Sequence, residues 1–241
     1  MMTISLSEVS KRFNREWIFR KFSYSFSSQH SYAITGPNGS GKSTLLQVIG
    51  GAIAMSEGDI RYELESWESG VRSQEPGVGN QEFNKPIIQN STFNIQNKEP
   101  TVVISPEHAF KYISIAAPYL ELIEEMTATE FLNFHRKFKP LLQDCTTQQV
   151  ISIVGLENAA QKQIRYYSSG MKQRIKLAQA IFSDTPVILL DEPCTNLDSE
   201  GIQLYRKLVN DHCKKRLLIV SSNDIQEYEF CEKKISILDY K

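Results

Sequence analysis

The chain has 241 residues, 41% of them hydrophobic, and a formal net charge of -1, so it can bury a full core and carries no global basic field to recruit nucleic acid. Its longest apolar runs, such as Val187 to Leu190 and Leu217 to Val220, are strand-length and far too short for a bilayer span, so no membrane crossing is expected. Cys145, Cys194, Cys213 and Cys231 form no C-x-x-C pair, which predicts reduced thiols; His212 beside Cys213 has no further ligand near it in sequence to make a metal site.

The segment Met1 to Ser7 alternates like a strand and lacks the charged and apolar regions of a signal peptide, which points to the cytoplasm. Similar alternation over Thr3–Glu8, Trp17–Phe26 and Ser31–Thr35, broken at Asn14-Arg15 and Ser27-Ser28, predicts a small β layer. Tyr32-Ala33-Ile34 then runs into Gly36-Pro37-Asn38-Gly39-Ser40-Gly41-Lys42-Ser43-Thr44 and on to Leu45-Leu46-Gln47-Val48-Ile49. This is a strand, a glycine-rich turn and a helix start. Gly36, Gly39 and Gly41 let the backbone turn its N–H groups inward at a helix N-terminus, a cradle for a polyphosphate. Lys42 is placed to reach the β and γ phosphates and the Ser43 hydroxyl to hold Mg²⁺.

That helix is expected to end at Gly50-Gly51, followed by a short strand over Gly58–Tyr62. From Glu63 to Pro100 the composition turns to Gln, Asn, Ser, Glu, Gly and Pro, which predicts a polar insertion, bounded at about 63–105, in the form of a long surface loop. Its Asn90-Ser91-Thr92 triplet matches a glycosylation acceptor only in form. Beyond a strand at Tyr112–Ala116, a helical part over about 119–166 is expected. Thr127 and Thr129 are its candidate caps, Phe131, Leu132, Phe134 and Phe138 form one apolar side, and a helix over Gln148–Val154 stops at Gly155. A helix at about Gly170–Phe182, a strand at Val187–Leu190, a helix at about Ser199–Lys214, a strand at Arg216–Ser221, a short helix and a strand at Lys234–Asp239 follow. The alternation predicts an α/β fold with a mostly parallel sheet and a ligand at the carboxyl ends of its strands.

Pro186 to Leu190 reads as a buried strand delivering Asp191 and Glu192 at its carboxyl end. Asp191 suits the Mg²⁺ shell, usually through water, and Glu192 suits polarisation of a water attacking the γ phosphate. Tyr167-Ser168-Ser169-Gly170-Met171-Lys172-Gln173-Arg174 is a hydroxyl-rich start to an amphipathic helix and, read alone, an N-cap.

Between the cradle and the acidic strand, that start resembles the signature sequence of ABC-type ATPases. The resemblance extends over the chain apart from the insertion, with residues 36–44 as Walker A, Ile188 to Glu192 as Walker B and Thr195-Asn196-Leu197-Asp198 as the D-loop. It implies a P-loop NTPase core of mostly parallel sheet with an N-terminal antiparallel β layer and an inserted helical subdomain, within a single nucleotide-binding domain over 1–241. It further implies ATP and Mg²⁺ as ligands and a head-to-tail pairing with a second such subunit, here a second copy. Ser168 and Gly170 would then contact the γ phosphate bound in the partner and Asp198 would lie at the seam. Phe13 matches the adenine-stacking position, with Trp17 the second choice; Phe13 as a core aromatic of the β layer is the competing reading.

Three departures from the family pattern stand out. The signature has Ser169 and Met171 in place of a glycine and a glutamine. Asn223 stands at the switch histidine, where it can hydrogen-bond but carries no charge, so slow turnover with ATP binding retained is expected. Ala117 or Pro118 stands where the Q-loop glutamine belongs; Glu121, Glu124 or Glu125 would replace it only if the loop folds inward, and a docking surface at Tyr119–Glu125 is the preferred reading. The resemblance therefore implies the ATP-hydrolysing subunit of an ABC transporter, cytoplasmic and peripheral on the inner face of the membrane, acting on separate integral-membrane subunits. A soluble ABC-type assembly or regulatory switch, or a nucleotide-binding structural partner of a better-equipped subunit, are the alternatives.

Overall fold

The computed structural model describes residues 1–65 and 101–241. Strands β1 (Met2–Phe13) and β2 (Glu16–Ser27) form a hairpin at Asn14-Arg15, where Asn14 takes φ 53°, a left-handed conformation that asparagine tolerates. Both are longer than the alternation alone marks, because the ladder continues through bulges past Leu6 to the pair Phe13–Glu16. Strand β3 (Ser31–Thr35) leaves this layer, and helix α1 (Lys42–Ile49) follows the glycine-rich loop. Strands β4 (Glu57–Leu64) and β5 (Val102–Ile104) complete a four-stranded sheet in the order β2-β1-β4-β5.

Most of the polar insertion, including Asn90-Ser91-Thr92, lies outside the described residues. Its two ends correct the expected bounds: Tyr62 pairs with Ile104 and Leu64 with Val102, so the stretches assigned to loop begin and finish as antiparallel partners.

The second sheet contains β3, β6 (Ile113–Ala116), β7 (Val187–Asp191), β8 (Leu217–Ser221) and β9 (Lys233–Ser236) in the order β6-β7-β8-β3-β9, every neighbouring pair parallel. Both faces are covered, as continuous apolar runs require. Tyr32, Ile34, Val187, Leu189, Leu217 and Ile219 face α1 and the antiparallel layer, packing with Leu45, Leu46, Phe22 and Phe26. Ala33, Ile188, Leu190, Leu218 and Val220 point the other way, into a core shared with the remaining helices. β9 is shorter than the expected Lys234–Asp239 strand: the Ser236 hydroxyl accepts the Leu238 N–H at 3.3 Å and opens a 3₁₀ turn over Ile237–Tyr240.

Those helices are α2 (Ala128–His135), α3 (Thr147–Ile153), α4 (Ser169–Ile181), α5 (Ser199–His212) and the short α6 (Ile225–Tyr228). Thr127 caps α2 in a capping box with Glu130, and Thr146 caps α3 in one with Gln149; Thr129 is not a cap, and its hydroxyl donates to the Ala160 carbonyl at 3.1 Å. The single apolar side expected for this region is divided. Ala128, Phe131 and Leu132 are buried, whereas Phe134 and Phe138 are exposed and pack edge to face, 5.1 Å between ring centres. The helix ends at His135, so Phe138 never joins the buried stripe.

Candidate functional site

The parallel order β7-β8-β3 brings three strand ends together. The loop after β3 carries residues 36–44, with Gly36, Gly39 and Gly41 all at positive φ. Gly41 is the N-cap of α1 at φ 96°, and a Cβ there would lie 2.5 Å from Ile18 Cγ2, so both conformation and packing demand glycine. No side chain caps α1, which leaves its first N–H groups open to an anion, with the positive end of the helix behind them. Lys42 is buried and its Nζ donates to the Pro37 carbonyl at 3.2 Å, folding back over the loop. The buried Ser40 Oγ has no hydrogen-bond partner.

Asp191 ends β7, only 1% exposed, with Oδ1 buried and unpartnered. Burial pushes its carboxyl up, while the Ser43 and Ser221 hydroxyls and the Lys42 ammonium act in the opposite direction. A buried acceptor beside a cation and hydroxyls, left without a donor, is the environment a hydrated divalent cation fits. Glu192 follows at φ 42°, rare for a non-glycine residue, and its N–H donates to the Ser221 carbonyl at 2.8 Å. Beyond β8, Asn223 Nδ2 donates to Asn38 Oδ1 at 2.9 Å, tying the segment after β8 directly to the glycine-rich loop. Lys42, Ser43, Asp191 and, through Asn38, Asn223 thus share one end of the sheet.

Ser168, Gly170 and Asp198 form a second group. The Ser168 hydroxyl caps α4 by accepting the Met171 N–H at 3.2 Å. Gly170 backs onto the Asn196 carbonyl, 3.0 Å from where a Cβ would stand. Asp198 caps α5 through the Gly201 N–H at 2.8 Å and lies 3.8 Å from the Arg174 guanidinium. Together with Met171, Arg174 and Asn196 they line a cleft of about 420 Å³, to which no residue of 36–44 contributes. Within one copy the two groups of site residues are therefore separate.

Phe13 stands at the tip of the β1–β2 hairpin, 49% exposed, with Lys11 Nζ 4.8 Å from the ring centre; the core-aromatic reading is overturned. Trp17 is half-buried and carries the Arg12 and Arg20 guanidinium groups at 5.4 and 4.9 Å. After β6, inward folding of the acids does not occur: Glu124 pairs with Lys172 and Glu125 with Arg165, and all three glutamates are exposed. The loop backbone is held instead by Lys176 Nζ, which donates to the Ala117 and Pro118 carbonyls at 3.3 and 2.8 Å. The His212 ring packs on Phe182, 4.6 Å between centres.

Tyr119 opens the segment that the sequence assigns to a docking surface, but its proximity to Asp191 was not read from the sequence. Tyr119 is 43% exposed, and its partial burial and, secondarily, the Asp191 charge push its phenol up to about 12, with the Gln47 side chain acting against them. Gln47 was legible in principle, since it lies four residues beyond Ser43 on the same face of α1.

Residues 19–195 match the family model described as ABC transporter. The chain is 27% identical over 224 residues to the uncharacterized ABC transporter ATP-binding protein YybJ of Bacillus subtilis, covering 93% of this chain and 86% of that one. It is 28% identical to the spermidine/putrescine import ATP-binding protein PotA of Thermotoga maritima over 82% of this chain but only 45% of PotA. Among solved structures, a putative ABC transporter ATP-binding protein from Pyrococcus furiosus superposes with a TM-score of 0.69 at 15% identity, covering 99% of both chains. A dimeric ATP-binding cassette in a post-hydrolysis state with ADP and Pi gives 0.67 at 22%, covering 97% of this chain and 93% of that one. The chain belongs to the ABC transporter family and has the fold of its ATP-binding cassettes.

Proposed function

We propose that this chain binds and hydrolyses ATP with Mg²⁺ as a head-to-tail dimer and so drives separate integral-membrane subunits. The observation that carries the reading is the unpartnered, buried Asp191 Oδ1 beside Ser43 and Lys42 at the open N-terminus of α1. Lys42 and the N–H groups of residues 39–44 would neutralise and orient the β and γ phosphates. Ser43 and Asp191 would hold Mg²⁺, which when bound neutralises charge on the phosphate oxygens. Glu192 would accept the proton of the attacking water and Asn223 would donate a hydrogen bond without adding positive charge, which makes turnover slow. The Ser168–Gly170–Asp198 cleft, which no residue of 36–44 lines, would cover the triphosphate of the second copy. Phe13, exposed at the hairpin tip, would stack on the adenine.

The whole chain acts as a single nucleotide-binding domain, with the helical part over about 119–166 receiving the membrane subunits. Among the described residues no helix is long and apolar enough to cross a membrane, which fits a subunit held peripherally at the inner face of the cell membrane. ATP hydrolysis by the purified protein, lost with ATP affinity in Lys42→Ala, is the expected result; undiminished affinity in that variant contradicts the reading. Recovery of a polytopic partner from detergent-solubilised membranes supports transport, and exclusively soluble partners point to a regulatory switch.

A further inference from the structure

Glu227 is an ionisable side chain buried where no direct step of the proposed reaction uses it. It lies on α6, 5% exposed, and its Oε1 accepts the Cys194 N–H at 2.7 Å. Its own carbonyl accepts the hydroxyl of Tyr205, a fully buried residue of α5, at 2.7 Å, and its N–H reaches the Asp224 carbonyl at 3.1 Å. Burial above all, with the neighbouring Asp224 and Glu192 charges adding to it, pushes its carboxyl up from the usual range, while the Ser222 hydroxyl and the Cys194 N–H act in the opposite direction. A carboxylate packed near two other acids is an expensive way to fill space, since an apolar side chain of the same size would avoid the desolvation and the repulsion. What an apolar residue would not do is pair the Cys194 N–H, which is buried with its residue.

Cys194 is the connection that gives this bond a consequence. It follows Glu192 by two residues and precedes Asp198 by four, so its N–H is a fixed point within the turn that carries both. Glu227 follows Asn223 by four residues, and the residue just before Asn223 is anchored to β3, Ser222 N–H donating to the Ile34 carbonyl at 3.1 Å. Gln173 Nε2 grips the preceding Pro193 carbonyl at 2.7 Å, so α4 holds one side of the turn and α6 the other.

We propose that Glu227 is a positioning residue: by holding Cys194 it sets the Glu192–Asp198 turn in register with Asn223, so that the chemical step depends on it and nucleotide binding does not. This rests on the hydrolase reading above. In Glu227→Ala, and in Glu227→Met, which keeps the volume without the acceptor, kcat should fall roughly 10- to 100-fold, the range for loss of one charge-assisted hydrogen bond. ATP affinity and KM should stay within about twofold, since an interaction outside the phosphate cradle is not part of uniform binding. Glu227→Gln retains an acceptor oxygen and should restore most of kcat.

Hydrogen exchange over residues 192–198 supplies a readout independent of turnover. Protection should drop in the Ala and Met variants and persist in the Gln variant. Unchanged exchange in Ala and Met, a Gln variant as impaired as Met, or parallel losses of kcat and ATP affinity would each overturn the proposal. A wild-type protein that binds but never hydrolyses ATP would overturn the hydrolase reading instead, and the exchange comparison would still decide whether Glu227 holds the turn.

Discussion

Gly41→Ala tests the construction of the phosphate loop quantitatively. At φ 96° an alanine carries a left-handed penalty of roughly 1–2 kcal/mol, and its Cβ would meet Ile18 Cγ2 at 2.5 Å. Ile18 is β-branched and cannot swing the methyl away freely, so overpacking adds roughly 1–3 kcal/mol, for a total of about 2–5 kcal/mol. Gly39 provides the internal control. It stands at φ 75°, but a Cβ there meets nothing within 4 Å, so Gly39→Ala should cost only the backbone share, about 1–2 kcal/mol. Urea unfolding of both variants, with Ile18→Ala alone and combined with Gly41→Ala, closes a double-mutant cycle. The combination should recover about 1–3 kcal/mol relative to additivity. Equal destabilisation by Gly41→Ala and Gly39→Ala, or strict additivity with Ile18→Ala, would refute the reasoning.

Asn223→His should accelerate steady-state ATP hydrolysis by about 10²–10³-fold if one well-aimed, chargeable contact is what the wild type lacks; a fast wild type indifferent to the change would remove that explanation. His135, whose Nε2 lies 2.8 Å from Ser183 Oγ, is lowered from 6.5 to about 4 by burial and, secondarily, by the Lys139 ammonium. Below pH 6.5 the unfolded chain therefore takes up the proton first, so stability is fully present above that pH and declines until the folded pKa near 4 is passed. Discounted for the side chain's partial exposure, the loss should be about 2 kcal/mol. Urea unfolding at pH 7.5 and 4.5 should show that loss in the wild type and not in His135→Gln; identical pH dependence would show that His135 is not responsible.

The parts of the site that share a local segment were legible in the sequence. The strand, glycine-rich turn and helix over 32–49 carry their own periodicity and turn chemistry, and the apolar run before Asp191 marks a strand buried on both faces. Ser168 was recognisable as a cap because it precedes an amphipathic run by one residue; the capping of α5 by Asp198 was not read from the sequence. What escaped was whatever depends on a distant partner. β5 is three residues inside a polar stretch and exists because Leu64 and Tyr62 pair with it. Phe134 and Phe138 fit helical spacing, yet the helix stops before Phe138 and the core lies on the Phe131–Leu132 side. Glu227 carries no motif; its significance appears only when α6 brings it against Cys194.

The account stands or falls on ATP joining two copies, each covering the other's triphosphate with its Ser168–Asp198 cleft. Glu192→Gln removes the proton acceptor and one negative charge while leaving the phosphate loop untouched. On size-exclusion chromatography it should run as a monomer without nucleotide and as a stable dimer with Mg²⁺ and ATP, an effect abolished by adding Lys42→Ala. A monomer under saturating ATP would contradict the account.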